Sequence, residues 1–119
     1  GNDEGKTSVL SDIPEYDVEN AKKPGLIRTI NNERIPIDKP YFRIGKEKSY
    51  VDYFIGDNSY ISRGHASIIT RDGHYYIVDN NSRNHTNVKG DPITSSTEVE
   101  IRIGDTIKLA NEEFEFKLF

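Results

Sequence analysis

Ser62, His65 and Asp79 are the first residues to question, because a serine, a histidine and an aspartate can form a hydrolytic triad. Ser62 and His65 stand three residues apart at the entry to one strand-like run, which places them poorly for triad geometry. No nucleophile elbow surrounds the serine. An enzymatic role is therefore not expected. His65, His74 and His85 fit no common metal-site spacing, so solvated or structural roles are expected for them. What remains is binding chemistry. Three segments carry polar residues beyond what simple turns require: Lys46-Glu47-Lys48-Ser49, Ser59–His65 and Asn80–His85. Loops at the end of a rigid scaffold commonly carry binding function.

The scaffold can be read from short alternating runs. Leu26–Ile30 and Arg34–Ile37 flank Asn31-Asn32 and suggest a hairpin. Tyr41–Ile44 and Tyr53–Ile55 follow. Ala66–Thr70 and Tyr75–Val78 flank Arg71-Asp72-Gly73, and Asp-Gly is a strong hairpin signal. Tyr75 and Tyr76 read as strand residues, one facing inward and one outward. Further runs are Thr86–Val88, Glu98–Ile101, Thr106–Leu109 and Glu113–Leu118. In the last, Phe114, Phe116 and Leu118 share one face, while Glu113, Glu115 and Lys117 share the other. Ile101 and Ile103 alternate in the same way. No 3.6-residue period persists after residue 25. The pattern predicts an all-β sandwich of roughly ten short strands, in two antiparallel sheets.

Residues 1–24 differ in texture. They are acidic and polar and contain Pro14 and Pro24, so they are expected to form a flexible arm ahead of a domain at 25–119. The chain of 119 residues has 16 Lys and Arg against 20 Asp and Glu, a net charge of -4. That balance does not suit general nucleic-acid binding, which wants a basic face. No apolar run approaches the roughly 20 residues of a membrane span, so no membrane contact is expected within this chain. Cysteine is absent, which excludes disulfides and thiolate metal sites and fits a reducing, cytoplasmic setting. Methionine is absent even at position 1, so the chain reads as an excised domain with Gly1 as a cleavage remnant.

Phe42-Arg43-Ile44-Gly45-Lys46, then Ile61-Ser62-Arg63-Gly64-His65-Ala66, then Asp79 through Gly90, stand in an informative order. Together with Ile103-Gly104-Asp105 and Ile107, they resemble the forkhead-associated family, bacterial type, over about residues 26–119. The family pattern is Gly-Arg, Ser-Arg-x-His, and Ser-x-Asn-Gly-Thr-x-Val-Asn-Gly. The resemblance implies an FHA/SMAD-like sandwich of about eleven short strands that binds phosphothreonine peptides with no cofactor. It implies that Ser62 holds phosphate through its hydroxyl and backbone N–H, and that Asn84 clamps the peptide backbone. His65 and Thr86 resemble structural loop residues, as do Gly45 and Gly90. Arg63 and Arg83 flank the pocket, with Arg83 placed to meet residues after the phosphothreonine.

The residue chemistry agrees. A phosphate brings up to about two negative charges and three acceptor oxygens, and it calls for convergent donors. Lys46, Lys48, Ser62, Arg63, Arg83, Asn84 and Lys89 supply them. Three positions depart from the family. Lys46 replaces its arginine and cannot make the bidentate guanidinium fork. His85 replaces a glycine, which implies a rebuilt loop or an extra donor. Lys89 replaces an asparagine. These departures keep an alternative open: a phosphate-independent interaction or oligomerisation module with a degenerate pocket. Plain readings also exist, with Ser62 as a turn residue and Lys46 to Lys48 as a solvated loop. The resemblance further implies a serine/threonine kinase partner. It also suggests that Thr7, within Thr7-Ser8-Val9-Leu10, is a phosphoacceptor whose arm folds back onto the domain. The tether of about 19 residues to Leu26 spans roughly 25 Å as a coil, comparable to a domain.

Overall fold

The computed structural model describes residues 21–119, so Thr7 and most of the expected arm lie outside the described residues. Eleven strands are present among the described residues. They are β1 (Pro24–Arg28), β2 (Glu33–Pro36), β3 (Tyr41–Gly45), β4 (Tyr53–Phe54), β5 (Ala66–Arg71), β6 (His74–Asp79), β7 (Thr86–Val88), β8 (Asp91–Pro92), β9 (Val99–Ile101), β10 (Thr106–Leu109) and β11 (Glu112–Leu118). One sheet runs β9-β6-β5-β3-β4 and the other β2-β1-β11-β10-β7-β8. Lys23 is already tied to the far end of the chain by reciprocal backbone bonds with Phe119, at 3.1 and 3.0 Å.

Period-2 alternation builds the core. Phe114 and Phe116 of β11 are fully buried, as are Ile107 and Leu109 of β10 beside them and Leu26 of β1. From the other sheet Ile44, Ile68 and Ile77 meet them. Each such side chain contributes about 1.5–3 kcal/mol by leaving water. Tyr75 packs edge-on against Phe116 with ring centroids 5.2 Å apart, while Tyr76 lies under the Arg71 guanidinium at 4.5 Å. The β5–β6 hairpin turns through Asp72 (φ 54°) and Gly73 (φ 76°), the two left-handed residues that match strand twist in a tight turn.

The structure corrects several expectations. The β3–β4 pair is parallel, Ile44 facing Tyr53 and Gly45 facing Phe54, so that sheet is mixed. Strand β4 is only two residues long, and the connection from Lys46 to Asp52 curls back to start it in the same direction as β3. Parallel neighbours usually need long crossovers, which is why a seven-residue gap did not suggest one. Strand β1 stops at Arg28, leaving Ile30 77% exposed in the turn. Strand β9 stops at Ile101, because the chain turns through Gly104 at φ 101°, and Ile103 is left at the surface. Leu118, paired with Pro24 at the end of β11, is also exposed. Strand β8 carried no sequence signal, being two residues that include a proline.

The connections that follow β3, β4 and β6 meet at one end of the sandwich. Lys46 N–H donates to Ser62 O at 3.0 Å, and Glu47 N–H donates to Arg63 O at 3.1 Å. Arg83 N–H donates to Ser62 Oγ at 3.0 Å. Ala110, in the β10–β11 turn, donates its N–H to His85 O at 2.9 Å.

Candidate functional site

A buried carboxylate underlies the site. Asp79 ends β6 and is 1% exposed. Its Oδ1 accepts the hydroxyls of Ser82 and Thr86, both at 2.6 Å. Its Oδ2 accepts Ser82 N–H at 3.0 Å and the Ser95 hydroxyl at 2.9 Å. Burial pushes the Asp79 carboxyl up, but the bonds from Ser82, Thr86 and Ser95 outweigh it and hold the group below its ordinary value. The segment Asp79–Thr86 is thus wound around one ionised carboxylate, and that winding turns Arg83 and Asn84 outward.

His65 joins this segment to the one before β5. Its ring is fully buried. Nε2 faces His85 O at 2.9 Å, and Nδ1 faces Ser62 N–H at 3.0 Å. Because His85 O can only accept, Nε2 carries the proton and Nδ1 is the acceptor. Burial lowers the His65 pKa below 6.5, with the bond to His85 O opposing, so the neutral ring is the stable form. This corrects the expected role of Ser62. Its backbone N–H is spent on His65, because a neutral imidazole that donates through Nε2 needs a donor at Nδ1. The Ser62 hydroxyl accepts from Arg83 N–H, which leaves its own proton free to donate outward.

Gly45 sets how closely the third segment approaches. A Cβ at this position would lie 1.9 Å from Arg63 O, so only glycine allows the β3 end to run against Ser62 and Arg63. That contact places Lys46 beside Ser62. Asn84 is steadied by its Nδ2 donating to Tyr60 O at 2.9 Å, which turns its carboxamide across the loop before β5.

Lys46, Ser62, Arg63, Arg83 and Asn84 line one cleft of about 560 Å³, completed by Ser59, Tyr60, Ile61 and Asn81. Among the described residues, no acidic side chain lines it. A shallower hollow of about 310 Å³ adjoins it, sharing Tyr60 and Asn84 and ending on Ala110 and Asn111. The three residues expected at its periphery do not line the cleft. Lys48 Nζ lies 5.8 Å over the Phe54 ring, drawn to an aromatic face. Lys89 is exposed in the turn before Gly90, the two residues having φ of 53° and 86°. His85 has an exposed side chain and a φ of 69°. The histidine thus takes the left-handed conformation that glycine adopts at no steric cost. Tyr60, 58% exposed, was missed from sequence because a lone surface tyrosine carries no pattern. Among the described residues, no group of three His, Cys, Asp or Glu could hold a metal.

Residues 42–110, more than half of the chain, match the FHA domain. The chain belongs to the FHA-domain family. A protein phosphatase 1 regulatory inhibitor subunit PPP1R8 homolog from Arabidopsis thaliana is 28% identical over 79 residues, covering 66% of this chain and 21% of the plant protein. The structure of Mycobacterium tuberculosis EmbR in complex with a low-affinity phosphopeptide is 29% identical, with a TM-score of 0.73, covering 79% of this chain and 24% of that one. The MEK1 FHA domain in complex with a phosphothreonine peptide of HOP1 matches at 22% identity and a TM-score of 0.67, covering 80% of this chain and 95% of that one, a likeness of fold. The chain thus spans under a quarter of the plant relative and of EmbR. FHA domains are interaction modules, and a bacterial member is among the structures this one resembles.

Proposed function

We propose that this FHA domain recognises phosphothreonine in partner proteins through the 560 Å³ cleft, and that it catalyses nothing. The observation that carries the reading is the convergence of Lys46, Arg63, Arg83 and the free Ser62 hydroxyl proton on one cleft with no carboxylate in its lining among the described residues. A phosphate dianion fits that donor set, and each hydrogen bond to the charged group is worth roughly 1.5–3 kcal/mol. Asn84, with its Nδ2 on Tyr60 O, is placed to offer its carboxamide oxygen to the peptide backbone. The residues that follow the phosphothreonine would run over the hollow at Tyr60, Ala110 and Asn111. Lys46 serves as a point charge in place of a guanidinium fork, which predicts moderate rather than tight affinity.

The same reading assigns a serine/threonine kinase as the source of the ligand, a cytoplasmic setting, and Thr7 as a second ligand. Phosphorylated Thr7, tethered ahead of the domain, would occupy the cleft at an effective concentration approaching millimolar and exclude partners. The alternative, a phosphate-independent module, rests on Lys46 and His85. The position of His85 outside the cleft lining speaks against it, because the donors that converge there do not include the substituted residue.

A degenerate phosphothreonine peptide pool and its unphosphorylated twin, titrated against residues 21–119, test the reading. Binding of the phosphorylated pool alone supports it, and equal binding of both pools favours the alternative. The 119-residue chain phosphorylated at Thr7 should lose binding to external phosphopeptide. Undiminished binding would remove the autoinhibitory part.

A further inference from the structure

Arg28 stands on the inward face of β1, where alternation calls for an apolar residue, and it is 5% exposed. Every arm of its guanidinium is engaged. Nε and Nη2 form a fork on the buried Glu112 carboxylate at 2.8 and 2.9 Å. Nη2 also reaches Asp57 Oδ1 at 2.9 Å, and Nη1 reaches Tyr53 Oη at 3.2 Å. Arg28 and Glu112 belong to the six-stranded sheet, whereas Tyr53 and Asp57 belong to the other sheet and the loop that follows it. The cluster therefore bridges the two sheets at the cleft end.

From this cluster a chain of bonds leads to the cleft wall. Asn58 Nδ2 donates to Glu112 Oε1 at 3.1 Å and to Asn111 Oδ1 at 2.8 Å. Asn58 Oδ1 accepts Tyr60 N–H at 3.0 Å, and its backbone oxygen accepts Ile61 N–H at 3.2 Å. Tyr60 O in turn receives Asn84 Nδ2. A buried ion pair of this kind contributes little net stability compared with an apolar pair of the same volume, because desolvation offsets the attraction. Its measurable consequence is the arrangement it imposes on its partners.

We infer that Arg28 and Glu112, acting through Asn58, are positioning residues that hold the Asp57–Ser62 loop in its recognition-competent form. The inference rests on the phosphothreonine reading above. In the double variant Arg28→Met with Glu112→Leu, no buried charge is stranded, so cooperative unfolding persists with a Tm within a few degrees of the parent. Amide exchange at Tyr60 and Ile61, whose N–H groups both end on Asn58, rises at least tenfold. The dissociation constant for a phosphothreonine peptide selected from the pool rises about tenfold. The variant Asn58→Ala gives the same pair of changes while leaving the ion pair intact, and it decides the matter if the double variant fails to fold. Unchanged exchange at Tyr60 and Ile61 overturns the inference, and so does faster exchange with unchanged affinity. If the parent protein binds no phosphothreonine peptide, the recognition reading fails separately, and the exchange rates alone decide whether the ion pair orders the loop.

Discussion

Two layers of polar residues lie a few ångströms apart at the cleft end, and they obey opposite rules. In the inner layer each group is paired: Asp79 takes four bonds, and His65 uses both ring nitrogens. Both side chains are almost wholly out of water. In the outer layer Lys46, Arg63 and Arg83 are exposed, and none forms a salt bridge within the described residues. Elsewhere on the surface cations do find acids, as in Lys39 with Asp52 and Arg71 with Glu98. Saturated polar groups shape the loops, and unsaturated cations line the cleft. Asp79→Ala and Ser62→Ala should therefore fail in different ways.

The largest effect is expected from the inner layer. Asp79→Ala strands three hydroxyls and an N–H in a buried site and should lower unfolding free energy by about 3 kcal/mol, measurable by urea denaturation. Ser62→Ala should act mainly on the ligand. Losing a hydrogen bond to a charged group corresponds to roughly 1.5–3 kcal/mol, or about ten- to a hundredfold in phosphopeptide affinity. Its stability should change by about 1 kcal/mol or less, since only the bond from Arg83 N–H is lost. Peptide titration and denaturation on the same preparation would separate the two.

Titration should expose the inner layer again. The folded protein keeps His65 neutral, whereas the unfolded chain takes up a proton near pH 6.5. Stability should therefore be full above about 6.5 and decline as the pH falls from there toward the lowered folded value. Asp79 and Glu112, both held low, add a second decline at more acid pH, below their ordinary values of 3.8 and 4.5. His65→Asn should remove the first decline and keep the second. The smallest effect is His85→Gly. Relief of a left-handed histidine, offset by the entropy of glycine, should raise stability by about 0.5–1 kcal/mol with peptide affinity unchanged.

The sequence made the local parts of this picture legible. Alternation in β11 and the Asp72-Gly73 turn depend on neighbours one or two residues away, so the chain displays them openly. Five of the nine residues that line the cleft, Lys46, Ser62, Arg63, Arg83 and Asn84, are legible because their order along the chain carries a family pattern. The pair Arg28 and Glu112 is hidden, since 84 residues separate its members and Arg28, though it interrupts the apolar face of its strand, does not reveal its partner. The pairing of Ser62 N–H with His65 was hidden for another reason. It depends on which ring nitrogen His85 O engages, and only three-dimensional closure of two loops decides that.

The most direct measurement is a residue-resolved NMR titration of the folded domain with a phosphothreonine peptide and with its unphosphorylated counterpart. The account predicts that the amides of Lys46, Ser62, Arg63, Arg83 and Asn84 shift with the phosphorylated peptide only. Shifts confined to surfaces away from the cleft and its adjoining hollow, or equal shifts with both peptides, would contradict it.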